Sequence, residues 1–287
     1  MKSLWFPAIT AILVTCLCPS APASTAVVSQ VHVLSVHVQD HAAFDAVFLF
    51  FRDTLKLPLV YGELSKPAQE GQRLYAGFSV GNAYLEPCGP YKNDPPFSPD
   101  RTAWFHGLTF APGTSLAEAA DELGRRNISH SEVMGGGNMP RFVYLNDVLL
   151  TGPKQAVSLW EIQDPNNHVN PGFLAASLQK ARGGALGVQC LQEIRIGYPH
   201  KDHLAQWGSF LTPAKHEGDS WFVGNGPVLR LVPGPDMQLE SIVLKVESLE
   251  RAKAVLAQGH LLGEQTSDRV ELDPAKTCGL RIILKEK

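Results

Sequence analysis

The order of apolar and polar positions along this chain repeats one theme four times: a strand, a helix, then two or three further strands. Val31 to Val38 (VHVLSVHV) alternates and is rich in β-branched residues, which predicts a half-buried strand. A helical period follows from Ala42 to Leu55, with Phe44, Phe48 and Phe51 on one stripe, and Lys56-Leu57-Pro58 ends it. Strands are predicted at Leu59–Glu63, Arg73–Val80 and Ala83–Pro87, punctuated by Gly71 and by the hairpin signal Gly81-Asn82. The second unit opens with a strand at Ala103–Phe110. Thr114 or Ser115 caps a helix from Leu116 to Arg126, and strands follow at Phe142–Asn146 and Val157–Ile162. Between them, Met134 to Met139 with its three glycines predicts a mobile loop.

From Asp164 to Gly187 the chain is polar and Gly-rich around a short helix, Phe173 to Lys180, and reads as a linker between domains. The third unit has strands at Leu191–Gly197, Ser220–Val223 and Val228–Val232 and a helix at Lys201–Leu211. The fourth has strands at Leu239–Val246, Val270–Leu272 and Leu280–Leu284 and a helix at Leu249–Gln258. Two short echoes support a repeat. Ser115–Leu123 (SLAEAADEL) matches Ser248–Leu256 (SLERAKAVL), and Gly81-Asn82 matches Gly224-Asn225, each pair in the same slot of its unit.

Composition narrows the class. With 287 residues, 44% hydrophobic and 18% charged, the chain is an ordinary globular protein rather than a disordered one. Its net charge of −3 gives no basic surface, so nucleic acid is not an expected partner. Lys2, the apolar run Leu4–Leu17 and Ala21-Pro22-Ala23 together predict a secretory signal peptide over residues 1–23. That run is too short to span a bilayer, and no transmembrane span is expected elsewhere. The predicted location is therefore periplasmic or extracellular. Beyond the leader stand Cys88, Cys190 and Cys278, in no metal-type spacing; Cys190 with Cys278 is the plausible disulfide, and Cys88 a small buried hydrophobe.

Four β-α-β-β-β units in two pairs resemble the vicinal oxygen chelate superfamily, which includes glyoxalase I, bleomycin-resistance proteins and extradiol dioxygenases. The motifs that carry the resemblance are FFRDTLKLPLVYG (Phe50–Gly62), YLEPCGP (Tyr84–Pro90), FHGLTF (Phe105–Phe110) and SLWEIQDP (Ser158–Pro165). The implied fold is α+β, with four βαβββ units paired into two tandem domains. An N-terminal domain over 28–163 would be joined by a 164–187 linker to a degenerate C-terminal domain over 188–287.

The resemblance also implies a site. In that superfamily a metal sits in a half-barrel, held by residues from the first and last strands of each unit. The matching positions are Glu86, His106 and Glu161, a donor set suited to one divalent ion such as Zn, Mn, Fe or Ni. The fourth position falls on Val33, which binds no metal. His37 shares a strand face with Val33 and is expected in the pocket, while a ligand role for His32 or His37 stays open. Tyr84, Trp104, Phe110 and Trp160 are expected to line the cavity with His37. The second pair of units offers Arg230 and apolar residues in the equivalent places, so it is expected to bind no metal.

Two functions compete at this point. One is an exported metal-dependent enzyme of the lyase or isomerase type, acting on a small oxygen-bearing substrate. The ion would stabilise an enolate or similar oxyanion, and Glu161 or Glu86 would move a proton. The other is a metal-free binding protein of the bleomycin-resistance type that sequesters an apolar or aromatic ligand; under either reading the chain is expected as monomer or homodimer. A dioxygenase fits less well, because the intact donor set is N-terminal and has one His. Glutathione-dependent glyoxalase chemistry does not fit an exported chain.

Overall fold

The structure is a computed structural model that describes residues 25–64, 74–90, 101–136, 139–145, 149–150, 155–161 and 170–287. The predicted signal peptide, the Gly71 turn and the first part of the predicted linker lie outside the described residues. Among the described residues no helix is long and apolar enough to cross a membrane.

The first unit runs β1 (Val28–Val38), α1 (His41–Leu49), a π-helical turn (Phe50–Thr54), β2 (Leu59–Tyr61), β3 (Leu74–Tyr75), β4 (Gly77–Ser79) and β5 (Tyr84–Gly89). The second runs β6 (Ala103–Pro112), α2 (Leu116–Arg125), β7 (Met134–Gly136), β8 (Met139–Leu145) and β9 (Ala156–Glu161). After α3 (Pro171–Lys180), the third unit is β10 (Val188–Tyr198), α4 (Asp202–Leu211), β11 (Lys215–Glu217), β12 (Ser220–Phe222) and β13 (Val228–Pro233). The fourth is β14 (Leu239–Val246), α5 (Leu249–Gln258), β15 (Leu262–Gln265), β16 (Arg269–Leu272) and β17 (Ile282–Lys285).

Local chemistry explains where the helices begin. Asp40 accepts from the Ala43 amide at 2.8 Å to start α1. Ser115 and Glu118 form a reciprocal capping box at α2, and Ser248 accepts from the Arg251 amide at α5. The two sequence echoes that open with Ser are thus two equivalent helix starts. Asn170 with Pro171 begins α3 in the same manner.

Each pair of units closes into one sheet. The first has the order β2-β4-β5-β1-β6-β9-β8-β7 with β3 also on β5, and the second β11-β12-β13-β10-β14-β17-β16-β15. In each, the two opening strands pair antiparallel at the centre, β1 with β6 and β10 with β14, and each is flanked by a parallel strand from its own unit. β1 and β10 share the same burial pattern over eleven residues. Helices cover one face of each sheet, and the other face curves inward.

Several expectations need correction. Met134–Gly136 is a strand paired with β8, not a mobile loop, because its backbone finds ladder partners there. The described part of the expected linker, 170–187, is packed structure: Leu174, Leu178 and Leu186 are buried, and α3 rests on both β4 and β10. None of Cys88, Cys190 and Cys278 is in a disulfide, so the expected Cys190–Cys278 bridge does not form.

Polar ties and apolar packing join the two sheets. Asn82 in the turn before β5 donates to the Leu191 carbonyl at 2.9 Å and accepts from the Leu191 amide at 3.0 Å. Gln155 spans from the Phe105 carbonyl to the Leu239 amide. Arg126 beyond α2 donates to the Ser209 and Thr212 carbonyls at the end of α4. Phe110 packs edge-on against Phe210 at 5.3 Å, inside one hydrophobic core that runs through both halves.

Asn82→Ala removes the side-chain partner of the Leu191 carbonyl, while the Leu191 amide keeps the Val80 carbonyl at 3.0 Å, and is expected to lower unfolding stability by about 1 kcal/mol in urea titration. Limited proteolysis of the native chain is expected to spare 170–187; early cleavage there would contradict the packed α3 segment.

Candidate functional site

The concave face of the N-terminal sheet carries the candidate site. β1 sends Leu34, Val36 and Val38 into the helix-side core, which leaves Val33, Ser35 and His37 on the opposite face. On β5 the alternation places Leu85 in the core and Tyr84, Glu86 and Cys88 on the concave side. On β6, Ala103, Phe105, Leu108 and Phe110 are core residues. A register shift between Ser35 and Val36 lets Trp104, His106 and Thr109 face inward despite the odd spacing.

Across the β1–β6 seam three rings meet. His37 is fully buried, with its ring 5.0 Å from Trp104 and 4.9 Å from His106, the latter in an edge-on arrangement. On the other side of β1, Glu86 pairs in register with Ser35 and is 8% exposed. Its carboxylate accepts a short hydrogen bond from the Tyr61 hydroxyl. Tyr61 lies over Gly77, where a Cβ would stand 2.4 Å from the ring, and edge-on to Tyr84 at 5.6 Å. Burial first, then the Glu86 charge, pushes the Tyr61 phenol well above its ordinary range, so it stays a donor. Sequence reasoning missed Tyr61. Its signal was the side-chain-free Gly77 on the neighbouring strand, legible only once the two are paired.

The expected residues separate into two groups. His37, Tyr84, Glu86, Trp104 and His106 share the concave face, and Trp160 lies on it farther along β9. Glu161 and Phe110 do not. β9 is in register with β6 from Gly107↔Ala156 to Phe110↔Leu159, so Glu161 lies six positions beyond the level of His106, roughly 20 Å along the strand. It also has the parity of the core residues Val157 and Leu159, and it forms an ion pair with Arg141 at 2.9 Å. Phe110 is a core residue of the helix side.

Among the described residues no three His, Cys, Asp or Glu side chains are placed to hold a metal ion. The donor set Glu86, His106 and Glu161 therefore does not fit one divalent ion, and Glu161 is too distant to share a proton with Glu86. His32 sits at a register shift of β1 beside the Gln30 amide, 2.9 Å away. Burial lowers its pKa from 6.5 to about 4, which keeps the imidazole neutral. The arrangement around Glu86 suits hydrogen bonding to a small oxygen-bearing molecule between aromatic walls.

Because the folded chain resists protonating His32 while the unfolded chain does not, stability is expected to fall as pH drops from 6.5 toward 4, by on the order of 3 kcal/mol. His32→Gln should flatten that part of the stability-versus-pH curve. Tyr61 acts at the other end: its raised pKa adds stability that is present below about pH 10 and lost as pH climbs further. Denaturant titrations of Tyr61→Phe should lack that alkaline decline.

No protein-family model matches the chain, and no curated protein sequence matches it significantly. Solved structures do. The 2,3-dioxygenase LapB from Pseudomonas sp. KL28 superposes over 91% of this chain and 93% of its own, with a TM-score of 0.59 at 11% identity. An extradiol ring-cleaving dioxygenase from B. fuscum covers 94% of this chain and 74% of its own, with a TM-score of 0.57 at 12% identity. Homoprotocatechuate 2,3-dioxygenase from Brevibacterium fuscum, complexed with 3,4-dihydroxyphenylacetate, covers 94% and 83% with a TM-score of 0.54. With two mixed sheets of matching strand order, the chain shares the α+β, tandem two-domain fold of these dioxygenases, the fold that the resemblance to the vicinal oxygen chelate superfamily implied.

Proposed function

We propose that this protein binds a small oxygen-bearing aromatic molecule on the concave face of its N-terminal sheet and needs no three-residue metal centre to do so. The observation that carries this reading is the buried Glu86 carboxylate, held by Tyr61 on the same face as the His37–Trp104–His106 ring cluster. A phenol or enol hydroxyl could donate to Glu86, while Tyr84 and Trp104 supply apolar contact to a ring. The His37 and His106 rings stand beside Trp104 on the same face. The metal-dependent lyase or isomerase reading needed Glu161 in this cluster, and its position beside Arg141 argues against that.

The test uses the purified mature chain. Intrinsic tryptophan fluorescence is expected to be quenched saturably by 3,4-dihydroxyphenylacetate or a simple catechol, through Trp104. The bound diol of the Brevibacterium fuscum enzyme motivates the choice of probe. Glu86→Gln should weaken binding at least 10-fold, and elemental analysis should find no stoichiometric ion. One ion per chain that is lost in His106→Ala would overturn this reading in favour of a metalloenzyme.

Residues 1–23 belong to the same proposal, as a cleaved export leader. The mature N-terminus is expected at Ser24, read by intact mass from a secreting host.

A further inference from the structure

A second cleft, unrelated to the Glu86 face, opens where the two sheets meet. It has a volume of about 610 Å³ and is lined by Arg101, Gln238, Leu239, Glu240, Ala275 and Arg281, among others. Volumes of this size are typical of small-molecule sites. Arg101 reaches it from the start of β6, whereas Glu240 and Arg281 come from β14 and from the residue before β17.

Arg101 is held in place by backbone that its own sequence neighbours build. The Ala103 amide donates to the Cys278 carbonyl at 2.9 Å and fixes the start of β6 against the turn before β17. Gly279 in that turn has φ +93°, and a Cβ there would stand 2.6 Å from Arg101 Cγ. The glycine therefore lets the arginine stem lie across the turn and aim its guanidinium into the cleft.

Among the described residues, the carboxylates at this cleft act on Arg281 and leave Arg101 without one. Arg281 is compensated by Glu271, which it grips with two nitrogens at 2.8 and 3.3 Å. Arg101 has no such partner among the described residues, and its Nε is buried without a hydrogen bond. Burial and the neighbouring Arg281 charge both lower its pKa, the signature of a cation lacking a counter-charge. Glu240 is turned away toward Gly197 and Gly234, where its Oε1 occupies the space that a Cβ on either glycine would fill. Burial raises its pKa while the Arg281 and Arg195 charges lower it, so its carboxylate acts on those two arginines and not on Arg101.

From this geometry we propose that the cleft is a binding site for a compact oxyanion, a carboxylate or a phosphate, recognised by the guanidinium of Arg101 with Arg281 beside it. A planar guanidinium whose Nε–H has no hydrogen bond among the described residues matches the oxygens of such a group, and partial burial strengthens the contact relative to open water. Because Arg101 belongs to the first domain and Arg281 to the second, the ligand would bind across the junction.

The test is calorimetric titration of the full mature chain at low ionic strength with succinate in one arm and inorganic phosphate in the other. Saturable binding of at least one is expected, weakened at least 10-fold in Arg101→Gln and less in Arg101→Lys, which keeps the charge but loses the fork. If Arg101→Gln misfolds, Arg281→Gln and Arg101→Lys carry the comparison. Binding by one arm alone identifies the source of the oxyanion. Absence of binding in both arms, or affinity within twofold of wild type in the folded variants, overturns the proposal. The Glu86→Gln variant should bind these anions as wild type does, which separates this cleft from the concave face.

Discussion

The antiparallel seam between β1 and β6 is the constraint on which the N-terminal domain depends. Each unit alone is a small curved sheet with an unpaired edge, and the seam joins the two edges so that their inward faces form one concavity. Leu34 opposite Leu108 and Ser35 opposite Gly107 set the register. Gly107 has little room for a side chain, since a Cβ there would stand 3.0 Å from the Ala156 carbonyl oxygen. Just past this point a one-residue shift turns His106 inward beside His37. Without that shift, strand alternation would send His106 or Trp104 to the helix side.

The second domain uses the same seam to build a different surface. Arg195 and Ser241 stand where Ser35 and Gly107 stand, and Arg230 takes the place of Glu86. Arg195 and Arg230 both pair with Glu193, at 2.6 and 3.2 Å, so the charges there satisfy one another. One fold therefore carries two chemistries: a carboxylate between aromatic rings in the first half, and a self-compensated ionic face in the second. The repeated backbone frame tolerates this because the concave face contributes little to the core, which lies on the helix side of each sheet.

The junction between the halves is itself specific. Asn82 caps the Leu191 backbone, Gln155 links two opening strands, and Arg126 gathers carbonyls at the end of α4. Backbone groups buried at such a junction would lose hydration without these partners, at a cost of about 1–3 kcal/mol each. They hold Arg101 and Arg281 at one cleft, so a site across the junction needs no domain movement to assemble.

The four-unit architecture was legible in the sequence because it rests on local signals. Alternation in Val28–Val38 and its counterpart, the Ser-capped helices and the Gly-Asn turns each report on a few neighbouring residues. The shared face of Val33 and His37 on β1 also followed from strand alternation, whereas Trp104 and His106 face inward only through the register shift that pairing with β1 sets. What the sequence could not determine was register between distant strands. Glu161 matched a family position by local motif, yet the β6–β9 pairing puts it at the far end of its strand on the core-facing side, beside Arg141. Tyr61 entered the site, and Phe110 left it, for the same reason: a contact between strands or domains depends on long-range pairing, and a shift of one residue reverses every side chain along the strand.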